Sequence, residues 1–272
     1  MKYSGAQVVR LATSGLLAIA ALNLIAGSLP AAAQSPLYKP CADYKLSQPL
    51  TLATPGATQA VTTAASQSST AAPASGSDDI VFLSIVGADS EACYVASETF
   101  LENNTMDLPS GFNGAVGVTK TIQGDVALDR TNTANSQIGD ITINISEFKS
   151  DEDHRDSYIR NHFLESNKYP FATLTNVVAV GIPGGAYQDG TTLHFQITGT
   201  LTVHNTRRDT VFDASGSYSN GTLVVTAFTQ LKMSEFGITV PDLGGLLKVD
   251  DAMALVINIV ARQQQASATA AK

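Results

Sequence analysis

A run of alternating residues between positions 193 and 203 constrains the fold more than any other feature of this chain. Every second residue is apolar or glycine, in the order Leu193, Phe195, Ile197, Gly199, Leu201 and Val203. Because successive side chains of a β-strand point to opposite faces of a sheet, the run predicts a strand with one apolar face. At about 3.3 Å per residue it would span roughly 33 Å, a length that suits a barrel of about eight strands.

Similar patterns recur along the chain and favour an all-β fold. The other predicted strands cover residues 80–86, 92–100, 124–129, 139–148, 171–180, 210–218, 222–233 and 251–261. Asn220-Gly221 separates two of them, and Asn-Gly is the strongest short signal for a β-hairpin. Regular short strands joined by Gly, Asn and Asp turns predict an antiparallel sandwich or barrel.

One segment, residues 150–170, interrupts the strand pattern. Ser150 followed three places later by Asp153 resembles a capping box, and Tyr158 and His162 are spaced for contact on one helix face. Pro170 closes the segment. We expect a short helix of about three turns that covers one end of the barrel.

The N-terminal third of the chain is not typical of a folded core. Residues 1–33 predict a secretory signal peptide, with Lys2 and Arg10 before an apolar stretch and an Ala triplet at 31–33. The alternative is a retained membrane anchor through residues 11–29. Residues 34–77 contain Cys41 and end in a linker of Thr, Ala, Ser, Gly and Pro at 51–77, which buries too little apolar surface to offset its ordering entropy. The predicted domain is 78–262, and 263–272 is a flexible tail.

The charge of the chain excludes two classes of partner. The formal net charge is −8, and removal of residues 1–33 takes away two cations, Lys2 and Arg10, which leaves −10. Nucleic acids and anionic membrane surfaces both require cationic patches. We therefore expect no nucleic-acid partner.

The two cysteines, Cys41 and Cys93, are a candidate disulfide. Export would place them in an oxidising compartment, where such pairs form. Two separate thiols remain the alternative.

No constellation of residues predicts catalysis. The four histidines, His154, His162, His194 and His204, do not have the spacing of a zinc site. The chain has neither a Gly-x-Ser-x-Gly elbow nor a phosphate loop. We expect no catalytic residue, no metal site and no enzymatic activity.

The alternating pattern alone leaves open what the apolar face contacts. A barrel of this size holds either its own side chains or one elongated ligand. Gly199, midway along the inner row, would leave a gap that admits a ligand or allows a bend.

Several stretches in the predicted domain resemble the YceI-like family of exported bacterial lipid-binding proteins. They are SEACYVASETFL from Ser90, AVGVTKTIQGDVALD from Ala115, FKSDEDHRDSYIRNHFLESNKYP from Phe148, GTLTVH from Gly199 and LKMSEFGI from Leu231. The resemblance covers about residues 78–262. It implies a lipocalin-like, extended antiparallel β-barrel with a helix near one end, and an amphiphilic guest held inside, such as a polyisoprenoid or quinone.

On this hypothesis the chain is a periplasmic or secreted carrier, and no cofactor is expected beyond a bound isoprenoid lipid or quinone. The expected ligand-binding residues of the barrel wall are Ile141, Ile143, Ile145, Phe195, Ile197, Leu201, Phe228, Leu255 and Ile257. Those expected at the mouth are Tyr169, Phe171 and Phe236. The strand of Phe228 has a competing apolar row through Leu223, Val225, Ala227, Leu231 and Met233.

A carrier would exchange its lipid with a membrane-associated donor or acceptor. The alternative function is a secreted interaction module with a solid core. The sequence leaves the oligomeric state open, a homodimer included.

Overall fold

The computed structural model describes residues 39–44, 46, 48–50, 80–102 and 110–263. The predicted signal peptide, the alternative anchor, the linker at 51–77 and the tail beyond 263 lie outside the described residues.

The described residues form thirteen strands and one α-helix, α1 (Asp153–His162). In chain order the strands are β1 (Ile80–Ile85), β2 (Glu91–Phe100), β3 (Gly111–Thr119), β4 (Ile122–Gln123), β5 (Asp125–Asp129), β6 (Gln137–Ile138), β7 (Ile141–Asn144), β8 (Phe171–Val180), β9 (Thr192–Val203), β10 (Thr206–Ser219), β11 (Thr222–Lys232), β12 (Asp242–Leu243) and β13 (Leu247–Gln263).

These strands form one antiparallel sheet that curls into a barrel. Going round it, β7, β8, β9, β10, β11 and β13 pair in order, and both β1 and β2 pair with the far side of β13. Strand β3 then pairs with β2, and β5 pairs with β1. Between β3 and β5, the short β4 pairs with β7 and closes the circle.

The expected antiparallel barrel is confirmed. It has more strands than the expected eight, because several strands are interrupted along their length. Strands β1 and β2 share one position beside β13, and β3, β4 and β5 share the next. When the strands are counted by their position around the barrel, they occupy eight positions. Strand β3 was missed by the sequence prediction, because its Gly-rich sequence lacks a strong period-two pattern.

Two hairpins depend on residues with positive φ. Asn220 and Gly221 have φ of 49° and 75° and join β10 to β11, as their sequence predicts. His204 and Asn205, at 49° and 61°, make a second two-residue turn between β9 and β10. Two positive φ values fit the turn whose twist matches that of paired strands.

The helix is confirmed, but its predicted start is wrong. Glu152, and not Ser150, is the N-cap, and its carboxylate accepts from the backbone N–H groups of His154 and Arg155. The Ser150 N–H and hydroxyl instead donate to the buried carboxylate of Asp156. The helix ends at His162, well before Pro170, and the Tyr158 ring contacts the His162 ring at 4.5 Å between centroids.

The C-terminal end of the predicted strand 139–148 and the start of the predicted tail also differ from expectation. Strand β7 stops at Asn144, and residues Ile145–Glu147 form a 3-10 turn instead. Gln263, predicted to begin the tail, is the last residue of β13 and pairs with Leu83.

Residues 39–44, 46 and 48–50, which we call the strap, lie on the outer face of the barrel. Cys41 forms a disulfide with Cys93 of β2, with 6.0 Å between their Cα atoms, so the expected bridge is confirmed. Next to it, the buried Glu91 accepts a hydrogen bond from the Cys41 N–H at 2.6 Å. Further along, the Leu50 N–H donates to the Ser97 hydroxyl at 3.0 Å.

The strap explains why β2 does not alternate between buried and exposed residues. Residues 91–98 are all buried, because the inner face contacts the core and the outer face contacts the strap. Asn258 of β13, fully buried on the outer face, donates to the Lys39 carbonyl at 2.7 Å. Polar groups on this outer face therefore have the partners that buried polar groups require.

Inside the barrel, Tyr94 lies across Gly117 on the neighbouring strand. The two residues are directly opposite in the β2–β3 register. A Cβ atom on Gly117 would come within 2.1 Å of the Tyr94 ring. The ring also packs edge-on against Phe148 at 5.3 Å, so it is held on both sides.

We expect loss of the disulfide to destabilise the fold. The variant with both Cys41→Ser and Cys93→Ser frees a long loop in the unfolded chain, which on the loop-closure model lowers the free energy of unfolding by about 4 kcal/mol. Urea denaturation of this variant and of the oxidised protein measures the difference. A variant as stable as the oxidised protein contradicts the expectation, as does a thiol count above zero in the denatured, unreduced protein.

We expect Gly117→Ala to destabilise the barrel by roughly 1–3 kcal/mol, since the added methyl group must displace the Tyr94 ring. Gly244→Ala is the matched control, because nothing lies within 4 Å of the added atom there. Thermal unfolding followed by circular dichroism compares them. Equal melting temperatures for the two variants would show that the ring does not need the space above Gly117.

Candidate ligand-binding site

The barrel encloses two apolar cavities, one toward each end. The first measures about 70 Å³ and the second about 80 Å³. Ile141 lines both of them. We call the first the loop-end cavity, because residues of the 130–138 and 181–191 segments lie over it, and the second the helix-end cavity.

The loop-end cavity has an apolar surface, although several of its lining residues carry hydroxyl groups. Its apolar wall includes Leu128, Phe195, Ile197, Val225 and Ile259. The hydroxyl-bearing residues are Thr133, Ser136, Tyr187, Ser217 and Tyr218.

The helix-end cavity has almost entirely apolar side chains around it. These side chains come from strands nearly all the way around the barrel and include Ile143, Leu174, Phe212, Leu231 and Ile257. Leu164, which follows α1, and Phe236, in the 3-10 turn Met233–Phe236, close this end. Tyr94 is the one lining residue with a hydroxyl group.

Large side chains separate the two cavities. Ile197 and Phe212 are directly opposite on β9 and β10, and Ile197 lines the loop-end cavity while Phe212 lines the helix-end cavity. Both are almost completely buried. With Ile141 they form a boundary that we call the waist.

Gly199 leaves no gap in the inner face. A Cβ atom there would lie 3.0 Å from Leu174 Cδ1 and 3.0 Å from the Thr175 carbonyl oxygen. The register of β8 against β9 shifts between Thr175 and Val178, where Asn176 has a φ of 52°. Glycine is therefore required by the close approach of an irregular neighbouring strand, and the expectation that Gly199 leaves an opening for a ligand is wrong.

Nine of the twelve expected ligand-binding residues line a cavity. Phe195 and Ile197 line the loop-end cavity, and Ile141 lines both. Those at the helix-end cavity are Ile143, Ile145, Leu201, Phe236, Leu255 and Ile257.

Three expected residues lie elsewhere. Phe228 packs on the outer face near the Cys41–Cys93 disulfide, because the competing row through Leu223 and Leu231 faces inward. Phe171 is 52% exposed. Tyr169 contacts the His204 ring edge-on at 4.9 Å, and that histidine in turn hydrogen bonds to Glu165 at 2.6 Å.

The main lining residues that the sequence analysis missed are Phe212, Tyr218 and Tyr94. Phe212, Ala214, Gly216 and Tyr218 alternate along β10, so a period-two signal was present for the first two of these aromatics. Tyr94 gave no such signal, since β2 is buried on both faces.

A charged cluster flanks Tyr94 at the helix end of the barrel. Arg155 of α1 forms ion pairs with Glu98, at 3.3 Å, and with Asp151. Burial raises the pKa of Tyr94 well above its ordinary value, and the carboxylates of Asp156 and Glu98 add to the rise, while Arg155 opposes it. Tyr94 is therefore a neutral hydroxyl at physiological pH.

The described part of the chain contains no group of three or more His, Cys, Asp or Glu side chains placed to hold a metal ion. None of its helices has the length and apolar character needed to cross a membrane.

Several solved structures are similar to this chain. Burkholderia cenocepacia BcnA is 18% identical, with a TM-score of 0.47 over 65% of this chain and 98% of that one. A polyisoprenoid binding domain from Saccharophagus degradans, implicated in plant cell wall breakdown, is 11% identical, with a TM-score of 0.45 over 68% and 99%. The Campylobacter jejuni YCEI protein is 21% identical, with a TM-score of 0.43 over 54% and 83%.

No curated protein matches the chain. The model of the YceI-like domain matches residues 97–261, which include β3 to β12, α1 and most of β13. Because this match spans more than half of the 272 residues, the chain belongs to the YceI-like domain family.

Proposed function

We propose that this protein is an exported carrier that holds the apolar chain of a lipid, such as a polyisoprenoid or a quinone tail, inside its barrel. The observation that carries the proposal is the pair of apolar cavities along the barrel interior. The affinity would come from removal of apolar surface from water, at about 25 cal/mol per Å² before the costs of binding.

The shape of the interior favours an elongated guest over a compact one. The two cavities lie in series, with only the waist between them. Strand β9 runs past both, and its twelve residues would span about 40 Å at the usual rise. An extended hydrocarbon chain fits such a path, whereas a bulky ring system does not.

The cavities are small, and this sets a requirement on the mechanism. Each is well below the roughly 300–1,000 Å³ that is typical of small-molecule pockets. A long chain would therefore have to displace side chains of the waist. We propose that the side chains of the waist, Ile141, Ile197 and Phe212, move aside as the chain enters.

Two features support export. The Cys41–Cys93 disulfide fits an oxidising compartment, since such bonds are rare in the cytosol. The N-terminal sequence predicts a secretory signal peptide. We propose delivery to the periplasm or the medium, where a membrane-associated donor or acceptor would exchange the lipid.

The direct test is mass spectrometry of an organic-solvent extract of the protein, purified from its native host without detergent. A near-stoichiometric isoprenoid or other long-chain lipid is the expected result. An empty extract, together with no uptake of an added prenylquinone, would contradict the carrier function and favour an interaction module with a solid core.

Matched substitutions on neighbouring strands separate the inside of the barrel from the outside. Ile197→Asp places a charge on the inner wall, and we expect it to lower the amount of bound lipid by tenfold or more, because an unpaired charge beside an apolar chain is costly. Val211→Asp is the control: Val211 is 50% exposed and lies on the outer face of β10.

Circular dichroism establishes that both variants are folded. If Ile197→Asp does not fold, Ile197→Asn provides the same test with an uncharged side chain of similar volume. Equal lipid content in a folded Ile197 variant and in Val211→Asp would exclude Ile197 from the binding wall.

A further inference from the structure

Both ends of the barrel are closed by groups that are packed or hydrogen bonded. At the helix end, Leu164 and Phe236 lie over the cavity. At the loop end, the loop after β5 is bonded to the loop after β8, where the Thr133 N–H donates to the Gly185 carbonyl at 3.1 Å. A guest that enters at either end must therefore displace these groups.

The side wall of the barrel is discontinuous beside the loop-end cavity. Strand β6 has only two residues and pairs with β5, and within the described residues it forms no ladder with β8, which lies on its other side. Strand β8 pairs with β7 only as far as Leu174. Ile138 of β6 and Ala179 of β8 both line the loop-end cavity. Separation of β6 from β8, at what we call the seam, would therefore break no strand ladder.

An open cleft of about 360 Å³ lies against the same part of the wall. Two rows of residues line it, and each row runs in register across β1, β5 and β6. The outward row is Phe82, Ala127 and Gln137, and the inward row is Leu83, Val126 and Ile138. Because both rows contribute, the cleft reaches from the outer surface to side chains of the inner wall.

Val126 and Ile138 separate this cleft from the loop-end cavity. The two residues are directly opposite on β5 and β6. Each lines the cleft and also lines the cavity, and both pack against the core while only partly buried. The cleft and the cavity are thus two spaces divided by the same pair of aliphatic side chains.

The chemistry of the cleft suits a hydrocarbon chain. Phe82 is 62% exposed, and a large apolar ring in water gains free energy when an apolar partner covers it. Among the described residues that line the cleft, only Asp125 carries a charge. Its carboxylate repels an anionic head group, so an uncharged apolar chain is the ligand that fits.

We propose that the cleft and the seam form a lateral portal: the apolar chain of the guest first binds against Phe82 and then passes Ile138, the gate, into the loop-end cavity. The proposal rests on the proposed carrier function and adds to it the route by which the chain enters and leaves.

A block in the portal has a kinetic signature that a change in the binding wall does not have. Uptake and release follow the same route in opposite directions, so a block slows both rates and leaves their ratio, the Kd, unchanged. A substitution in the binding wall changes the Kd. Measuring both rates therefore distinguishes the route from the site where the guest finally rests.

Phe82→Cys, labelled with N-cyclohexylmaleimide, places a bulky group in the cleft. The label attaches only to the new thiol, because Cys41 and Cys93 are joined in the disulfide. Stopped-flow fluorescence follows uptake and release of the methyl ester of cis-parinaric acid, an uncharged chain that fluoresces in apolar surroundings. We expect the label to slow both rates about tenfold at an unchanged Kd, since it obstructs association without altering the cavity.

Val211→Cys with the same label is the matched control, because Val211 is 50% exposed on the outer face of β10. We expect this label to change neither rate. Equal rates in the two labelled proteins would overturn the portal. A label at position 82 that alters the Kd through the release rate alone would also overturn it, since Phe82 would then belong to the final binding site.

Ile138→Ala tests the gate from the opposite direction. With less apolar contact to break when the gate opens, we expect uptake and release to accelerate about fivefold. Val211→Ala is the control on the outer face, and Leu164→Ala tests the competing route at the helix end. A larger acceleration in Leu164→Ala than in Ile138→Ala would move entry to the helix end and reject the portal.

Circular dichroism establishes that the variants are folded. If Ile138→Ala does not fold, Ile138→Val removes a single methyl group and tests the same gate, and the label at position 82 does not depend on either variant. If the unmodified protein takes up no probe, the carrier function itself fails. Uptake that is insensitive to both the label and the gate variant leaves the carrier function standing and removes only the portal.

Discussion

The pairing of β13 with four other strands is the constraint on which the rest of the barrel depends. Along seventeen residues it pairs with β11 and β12 on one side and with β1 and β2 on the other. Its inner row, through Leu255, Ile257 and Ile259, packs in the core, and its outer row, through Val256 and Asn258, lies under the strap. A one-residue slip would exchange the two rows and place Asn258 in the core.

The inner wall could be predicted where the alternation was free of interference. Strand β9 is exposed on its outer face, so its apolar row could be assigned to the inside from the sequence alone. Strand β11 has apolar residues on both faces, because part of its outer face packs near the disulfide. The inward row of Leu223 and Val225 and the outward Phe228 are equally apolar, and the pattern did not distinguish them.

Other differences arose from contacts between residues that are far apart in sequence. The outer face of β2 is buried by a strap whose nearest residues lie about fifty positions earlier, and no local pattern records that contact. The role of Gly199 depends on an irregularity in β8. The helix cap differs because the Ser150 side chain is committed to Asp156, which leaves Glu152 to bond the first N–H groups of the helix.

The disulfide also determines how the chain responds to being cut. Residue 41 is joined covalently to residue 93, and residues 51–79 lie between the two positions. A single cleavage anywhere in 51–79 would therefore yield two polypeptides that remain one molecule, with the strap still held on the barrel. Only reduction would separate them. Glu91, Ser97 and Asn258 would then lose their hydrogen-bond partners in the strap, and these buried polar side chains of β2 and β13 would be exposed to solvent. Integrity of the outer wall thus depends on one covalent bond more than on continuity of the backbone.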